Sequence, residues 1–139
     1  MLTKQKGDVA IGQAISHYLA TGYEVCLPIG DKRHYDLLIE RDGCVSRVQV
    51  KYAGLYPSRK VCRAALRITG GNQSFGYAKK YADDAFDVLF VYTAKGQQYS
   101  IPWKEIVPRN EISVEHPKYQ RYLLTNKKSW AGTEVDKRG

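Results

Sequence analysis

Acidic residues are missing from the middle of this 139-residue chain. Between Gly43 and Ala82 there is no Asp or Glu, while the same stretch carries Arg47, Lys51, Arg59, Lys60, Arg63, Arg67, Lys79 and Lys80. Those eight cations match the net charge of the whole chain, +8 at pH 7. Solvated faces mix both signs. A stretch that excludes acids and interleaves Tyr52, Tyr56, Phe75, Tyr77 and Tyr81 reads instead as a contact surface for a polyanion, nucleic acid above all. Long apolar runs are absent too. None approaches a membrane span, the N-terminus lacks a signal-peptide core, and no basic amphipathic helix is visible, so no membrane partner is expected and the chain reads as cytoplasmic. Cysteine is scarce. Cys26, Cys44 and Cys62 are odd in number and far apart, which argues against a disulfide framework and against a zinc site. His17, His34 and His116 are equally scattered, so zinc or histidine-nucleophile chemistry fits poorly.

What is present divides into short elements. The length suits one domain with its own core and is short for two. Residues 3–21 read as a helix, with Ile11, Ala14, Ile15, Tyr18 and Leu19 at helical spacing and Gly22 as its stop. A short strand follows over 23–29, ended by Gly30-Asp31. Residues 35–41 and 45–52 are rich in aliphatic and β-branched side chains, and Asp42-Gly43 joins them as a hairpin turn. After a turn containing Pro57, residues 59–69 alternate. Arg59, Val61, Arg63, Ala65, Arg67 and Thr69 share one face, while Lys60, Cys62, Ala64, Leu66 and Ile68 share the other. This predicts a basic β-ribbon, apolar beneath and set with arginines above, suited to phosphates or to a major groove. Residues 70–76 read as a loop and 77–85 as a short helix or turn. Residues 87–94 and 97–103 form a hairpin around Lys95-Gly96, the first nearly all apolar, as a central strand is. A short helix is expected from Trp103 to a stop at Pro108, and one or two helical turns over 118–124. The expected layout is one domain over 1–125, its basic part about 43–82, with a polar, frayed tail over 126–139.

The first hairpin carries the chemistry. Asp36 stands near the start of one strand, and Gln49 and Lys51 near the end of the other, so antiparallel pairing sets them side by side. Gln49 and Lys51 face one way, Val48 and Val50 the other, into a core. An acid, an amide oxygen and an amine then converge on a hydrophobic sheet. Hydrolysis of a phosphodiester needs a hydroxide, a counter to phosphorane charge, and help for the leaving oxygen. Mg²⁺ held by oxygen ligands supplies much of this. Asp36 is the first expected ligand, and the Gln49 side-chain carbonyl a weaker, neutral one. Lys51 would orient or deprotonate the water or offset phosphate charge.

These residues do not stand alone. Lys6-Gly7-Asp8 on the helix, Gly22-Tyr23-Glu24-Val25, Pro28-Ile29-Gly30-Asp31, Asp36, Arg47-Val48-Gln49-Val50-Lys51, Asp87-Val88-Leu89-Phe90-Val91-Tyr92 and Ser100-Ile101-Pro102 follow in order. The set resembles the PD-(D/E)XK, restriction-endonuclease-like nuclease superfamily, with Gln49 where the second acid usually sits. It looks closest to the branch holding archaeal junction-resolvase-like enzymes and an intron-encoded homing endonuclease of cyanobacteria. The resemblance implies an α/β fold, a mixed central β-sheet flanked by helices, to which the basic β-ribbon is added. It also implies a metal ligand in the backbone carbonyl of Val50 and a place in the bacterial cytosol, on the nucleoid when DNA is bound.

Related sequences carry Glu at the position of Ile11, three residues beyond Lys-Gly-Asp. Ile11 falls on the apolar stripe and cannot bind metal. Asp8, one turn earlier on the same side, either supplies the missing acid as a catalytic and metal-binding residue or complements the helix N-terminus. The expected function is a sequence-specific, Mg²⁺-dependent endonuclease of the intron-homing type that makes double-strand breaks. Its DNA contacts would come from Arg47, Tyr56, Arg59, Lys60, Arg63, Arg67, Lys79 and Lys80. Cutting both strands calls for a homo-oligomer, a dimer or tetramer. The alternatives are a structure-specific, junction-resolving nuclease and a non-catalytic DNA-binding module on a decayed nuclease fold.

Overall fold

The structure, a computed structural model, describes residues 1–30, 32–56, 58, 60–68, 79–107 and 109–124, the side chains of residues 68 and 79 excepted. The expectations for Asp31, Pro57, Arg59, the 70–76 loop, Phe75, Tyr77, Pro108 and the 126–139 tail lie outside the described residues.

Helix α1 spans Thr3–Ala20 and packs on one face of the sheet. Its buried row is Ala10, Ala14 and Tyr18, spaced by four. The two alanines let the helix lie close over Val48, Val50 and Phe90. Ile11 and Ile15 flank this row, partly buried, whereas Leu19, expected on the stripe, is exposed. Counting apolar residues gave Leu19 the weight that the smaller Ala10 holds in space. The helix ends as expected at Gly22, whose φ of 97° only glycine adopts freely. The Tyr23 amide then bonds back to the Tyr18 carbonyl at 2.9 Å, and the two rings meet edge to face at 5.6 Å, a glycine-dependent C-terminal cap.

The sheet runs β1 (Glu24–Cys26), β2 (Leu37–Arg41), β3 (Cys44–Tyr56), β7 (Val88–Thr93), β8 (Gln98–Pro102) and β10 (Leu123–Leu124). Among the described residues only β3 and β7 pair in parallel. The sheet is therefore mixed, and β7 is central as its apolar run predicts: Leu89, Phe90 and Val91 are fully buried. Asp42 and Gly43 both have positive φ, 54° and 83°, as a two-residue hairpin turn requires. Strand β3 runs past its expected end at Tyr52. Its last residues pair with β4 (Val61–Ala65), which in turn pairs with β9 (Glu111–Ser113), a strand without a sequence signal.

The stretch over 59–69 is not one ribbon. It breaks at Leu66, fully buried, whose amide bonds to the Asn110 carbonyl at 3.0 Å. Beyond the break, β5 (Arg67–Ile68) forms a separate two-stranded ribbon with β6 (Lys79–Lys80). The expected apolar face holds, since Cys62, Ala64 and Leu66 are all in the core. Of the short helix or turn expected over 77–85, the described part takes the turn, at Asp83-Asp84, and no helix, while Lys79–Lys80 is strand. Pairing with β5 outweighs local helix preference there.

Among the described residues α1 is the only α-helix; Trp103–Glu105 and Pro117–Tyr122 are 3₁₀ turns. The sheet face away from α1 is covered by Leu66, Tyr81, Phe86, Trp103, Ile106 and Tyr119. No helix among the described residues is long and apolar enough to cross a membrane.

Candidate active site

Leu37 pairs with Val48 across β2 and β3, which leaves Asp36 just before the strand, beside Gln49. The ladder extends one bond further, from the Asp36 amide to the Val48 carbonyl at 2.8 Å. That bond anchors the Asp36 backbone. Its carboxylate turns back onto β3, where Oδ2 accepts from the Val50 amide at 2.8 Å and from Gln49 Nε2 at 3.0 Å. Burial pushes the Asp36 carboxyl above its ordinary range, while the Val50 N–H and the Lys51 charge pull the other way. The net shift is upward, so the site holds a carboxylate that is costly to ionise without a further positive charge.

Gln49 Nε2 also lies 3.3 Å from the Val50 carbonyl oxygen. One amide nitrogen thus stands against two of the three oxygens expected to hold a metal, those of Asp36 and Val50. These oxygens face a common donor, as they would face a hard cation, and the donor set fits Mg²⁺ in kind. Presenting Oε1 to a cation requires the Gln49 amide to turn over. The set carries one charge only. No group of three or more His, Cys, Asp or Glu residues suited to a metal occurs among the described residues.

Lys51 faces the same side as Gln49. Among the described residues no carboxylate lies within ion-pair distance of its ammonium. Nζ stands instead 5.4 Å from the ring centroid of Tyr81. On the opposite face, Val48 and Val50 enter the core under α1, as the strand alternation predicts. Ile11 joins that core, and Asp8 is exposed, 4.0 Å from Lys4 on its own helix. The structure gives Asp8 no hydrogen bond or ion pair with Asp36, Gln49 or Lys51.

The expected DNA-contacting residues separate into two groups. Arg47 and Arg63 are held by carboxylates of the chain itself. Arg47 reaches Asp87 through Nε at 3.1 Å and Nη2 at 3.2 Å. Its backbone amide also donates to Asp87 Oδ2 at 2.8 Å, and the Asp87 amide donates to the Arg47 carbonyl at 2.9 Å, which aligns β3 with β7. Arg63 Nη1 lies 3.0 Å from Glu111, and its guanidinium sits over Tyr56 at 5.5 Å. Neither Asp87 nor Glu111 is near its arginine in sequence, so no local pattern announces these pairs. Arg67, Lys80 and Lys60 are exposed, and Tyr56 is half exposed. Arg67 and Lys80 stand directly opposite one another across β5 and β6. Lys79 shares that strand, with its side chain outside the description.

The family model of the PD-(D/E)XK endonuclease matches residues 1–130. The chain belongs to this family. Its members generally use divalent metal ions, and its activity class is that of a DNA endonuclease. The fold is similar to that of a bacterial homing endonuclease, I-Ssp6803I, with a TM-score of 0.77 and 25% identity over 94% of this chain and 92% of that one. No curated protein matches.

Proposed function

We propose that this PD-(D/E)XK protein is a sequence-specific, Mg²⁺-dependent homing-type endonuclease that makes double-strand breaks as a homo-oligomer. The observation that carries the chemistry is the contact set around Asp36: a half-buried carboxylate clasped by Gln49 and Val50, with the Lys51 ammonium on the same face. The likeness to a homing endonuclease supports the homing type. Asp36, the Gln49 carbonyl and the Val50 carbonyl would hold the cation, while Asp8, exposed on the helix that covers the opposite sheet face, is left to its alternative role of complementing the helix N-terminus. A bound Mg²⁺ supplies Lewis acidity toward the scissile phosphate and lowers the pKa of attacking water.

The chain's own groups do the rest. Asp36, costly to ionise alone, contributes a charge that a cation would stabilise. Lys51, without a carboxylate partner among the described residues, can donate to a phosphate oxygen or orient the attacking water. Arg67, Lys80, Lys60 and Tyr56 offer an exposed basic surface, with Lys79 and Arg59 on the same chain segments. Arg47 and Arg63 would reach phosphates only from the outer edges of their ion pairs.

A second reading, a DNA-binding module without catalysis, is favoured by one observation: Ile11 packs against the core and leaves the clasp a single carboxylate among the described residues. Supercoiled plasmid with and without a cloned target, incubated with Mg²⁺, separates the two. Linear product that requires the target, and that falls by on the order of a hundredfold or more in both Lys51→Ala and Asp36→Ala, supports the nuclease. Salt-sensitive binding without cutting under any divalent metal supports the module.

A further inference from the structure

We infer that Tyr81 is a positioning residue for Lys51, and that it couples the amine to the β5–β6 ribbon. This rests on Lys51 acting in the nuclease proposed above. The Tyr81 ring is the contact the structure gives the Lys51 ammonium, at 5.4 Å from the centroid. A cation at that distance is held by the quadrupole of the ring face. The attraction is directional, so it restricts an otherwise flexible four-carbon stem. A catalytic group held by a fixed ring is kept near its working geometry, and small displacements of such groups cost large factors in rate.

The ring itself is fixed from behind. Phe86 meets it edge to face at 5.2 Å, and Trp103 at 6.1 Å. His34, two residues before Asp36, packs against it at 5.7 Å. One side chain therefore touches both the amine and the segment that delivers the carboxylate. Tyr81 also directly follows Lys79–Lys80, strand β6, which pairs with Arg67–Ile68. Along an extended segment neighbouring side chains point opposite ways. Lys80 is exposed where Tyr81 is buried. A phosphate seated on Lys80 and Arg67 would thus sit one residue from the ring that holds Lys51.

Wild type, Tyr81→Leu, Tyr81→Phe and the packing control Ile112→Ala, a buried core position on β9, are compared on supercoiled plasmid bearing the target, with Mg²⁺. In Tyr81→Leu, kcat is expected to fall on the order of ten- to a hundredfold with KM little changed. Tyr81→Phe, which keeps the ring, restores kcat, and Ile112→Ala loses stability without a comparable loss of kcat. In the full-length protein, the Lys51 ε-methylene protons, assigned by their loss in Lys51→Ala, are expected upfield of ordinary lysines through the ring current. That shift should vanish in Tyr81→Leu and remain in Tyr81→Phe.

Wild-type protein that cuts, with kcat unchanged in Tyr81→Leu, overturns the inference and leaves the nuclease standing. Equal losses in Tyr81→Leu and Ile112→Ala overturn it in favour of packing alone. Ordinary Lys51 shifts in the wild type overturn it even if Tyr81→Leu does not fold. Wild type that never cuts overturns the nuclease reading, and this inference with it.

Discussion

Asp36, the proposed metal ligand, carries a cost in the fold. Its carboxylate is half-buried and its pKa raised, so at neutral pH the folded protein holds a charge that the unfolded chain carries more easily. Below the ordinary carboxylate value of 3.8 the group is protonated in both states. As pH rises past it, the unfolded state ionises first, and folding stability declines until pH passes the raised folded value. Asp36→Asn can keep one oxygen facing Gln49 and Val50 and drops the charge. Its Tm without metal is therefore expected a few degrees above wild type at pH 7, converging with it at low pH, while cleavage is lost. Thermal melts across pH in the presence of a chelator check this; a lower Tm at pH 7 would contradict it. The Asp36–Gln49–Lys51 constellation was legible in sequence because strand periodicity and hairpin register are local rules. The partner of Lys51 was not. Tyr81 stands out in sequence only as one aromatic in a basic stretch, and its contact needs the chain to return across the sheet.

Strands β5 and β6 set Arg67 opposite Lys80, and like charges at that position oppose pairing. An anion between them would remove the penalty. Lys80→Glu should therefore act in opposite directions on fold and function. Cross-strand pairing with Arg67 would stabilise the ribbon by about 0.2–1 kcal/mol, while DNA affinity falls and the slope of log K against log salt loses about one unit. Chemical denaturation and a salt titration of DNA binding read the two effects separately. An unchanged DNA affinity and salt slope would mean that the ribbon does not meet phosphate. Arg47 shows why charge alone is a weak guide to such surfaces. From sequence it belongs with the other cations of the acid-free stretch. In the fold its guanidinium joins the starts of two parallel strands, because Asp87 arrives from a distant part of the chain. The break at Leu66 was hidden for a similar reason: alternation continues through it, and only the core on one side ends the strand.

For the whole molecule, one site cuts one strand. A double-strand break by this chain requires at least two copies with sites facing opposite strands. Sedimentation at cleavage concentrations should therefore give a dimer or tetramer on target DNA. Linear product should then appear directly from supercoiled plasmid, without a nicked stage that builds up first. A monomer that only nicks would contradict this and favour a different substrate geometry.

The sequence by itself determined helix α1 and its glycine stop, the Asp42-Gly43 hairpin, the central apolar strand and the placement of Asp36 beside Gln49 and Lys51. All of these follow from periodicity, from turn residues that tolerate positive φ, or from pairing between neighbouring segments. Tertiary structure decided the parallel pairing of β3 with β7, the strand at Glu111–Ser113, the capture of Arg47 and Arg63 by carboxylates, and the Tyr81 ring beneath Lys51. These are contacts between distant parts of the chain, in which burial and charge pairing outweigh local preference. No pattern within a window of sequence records them.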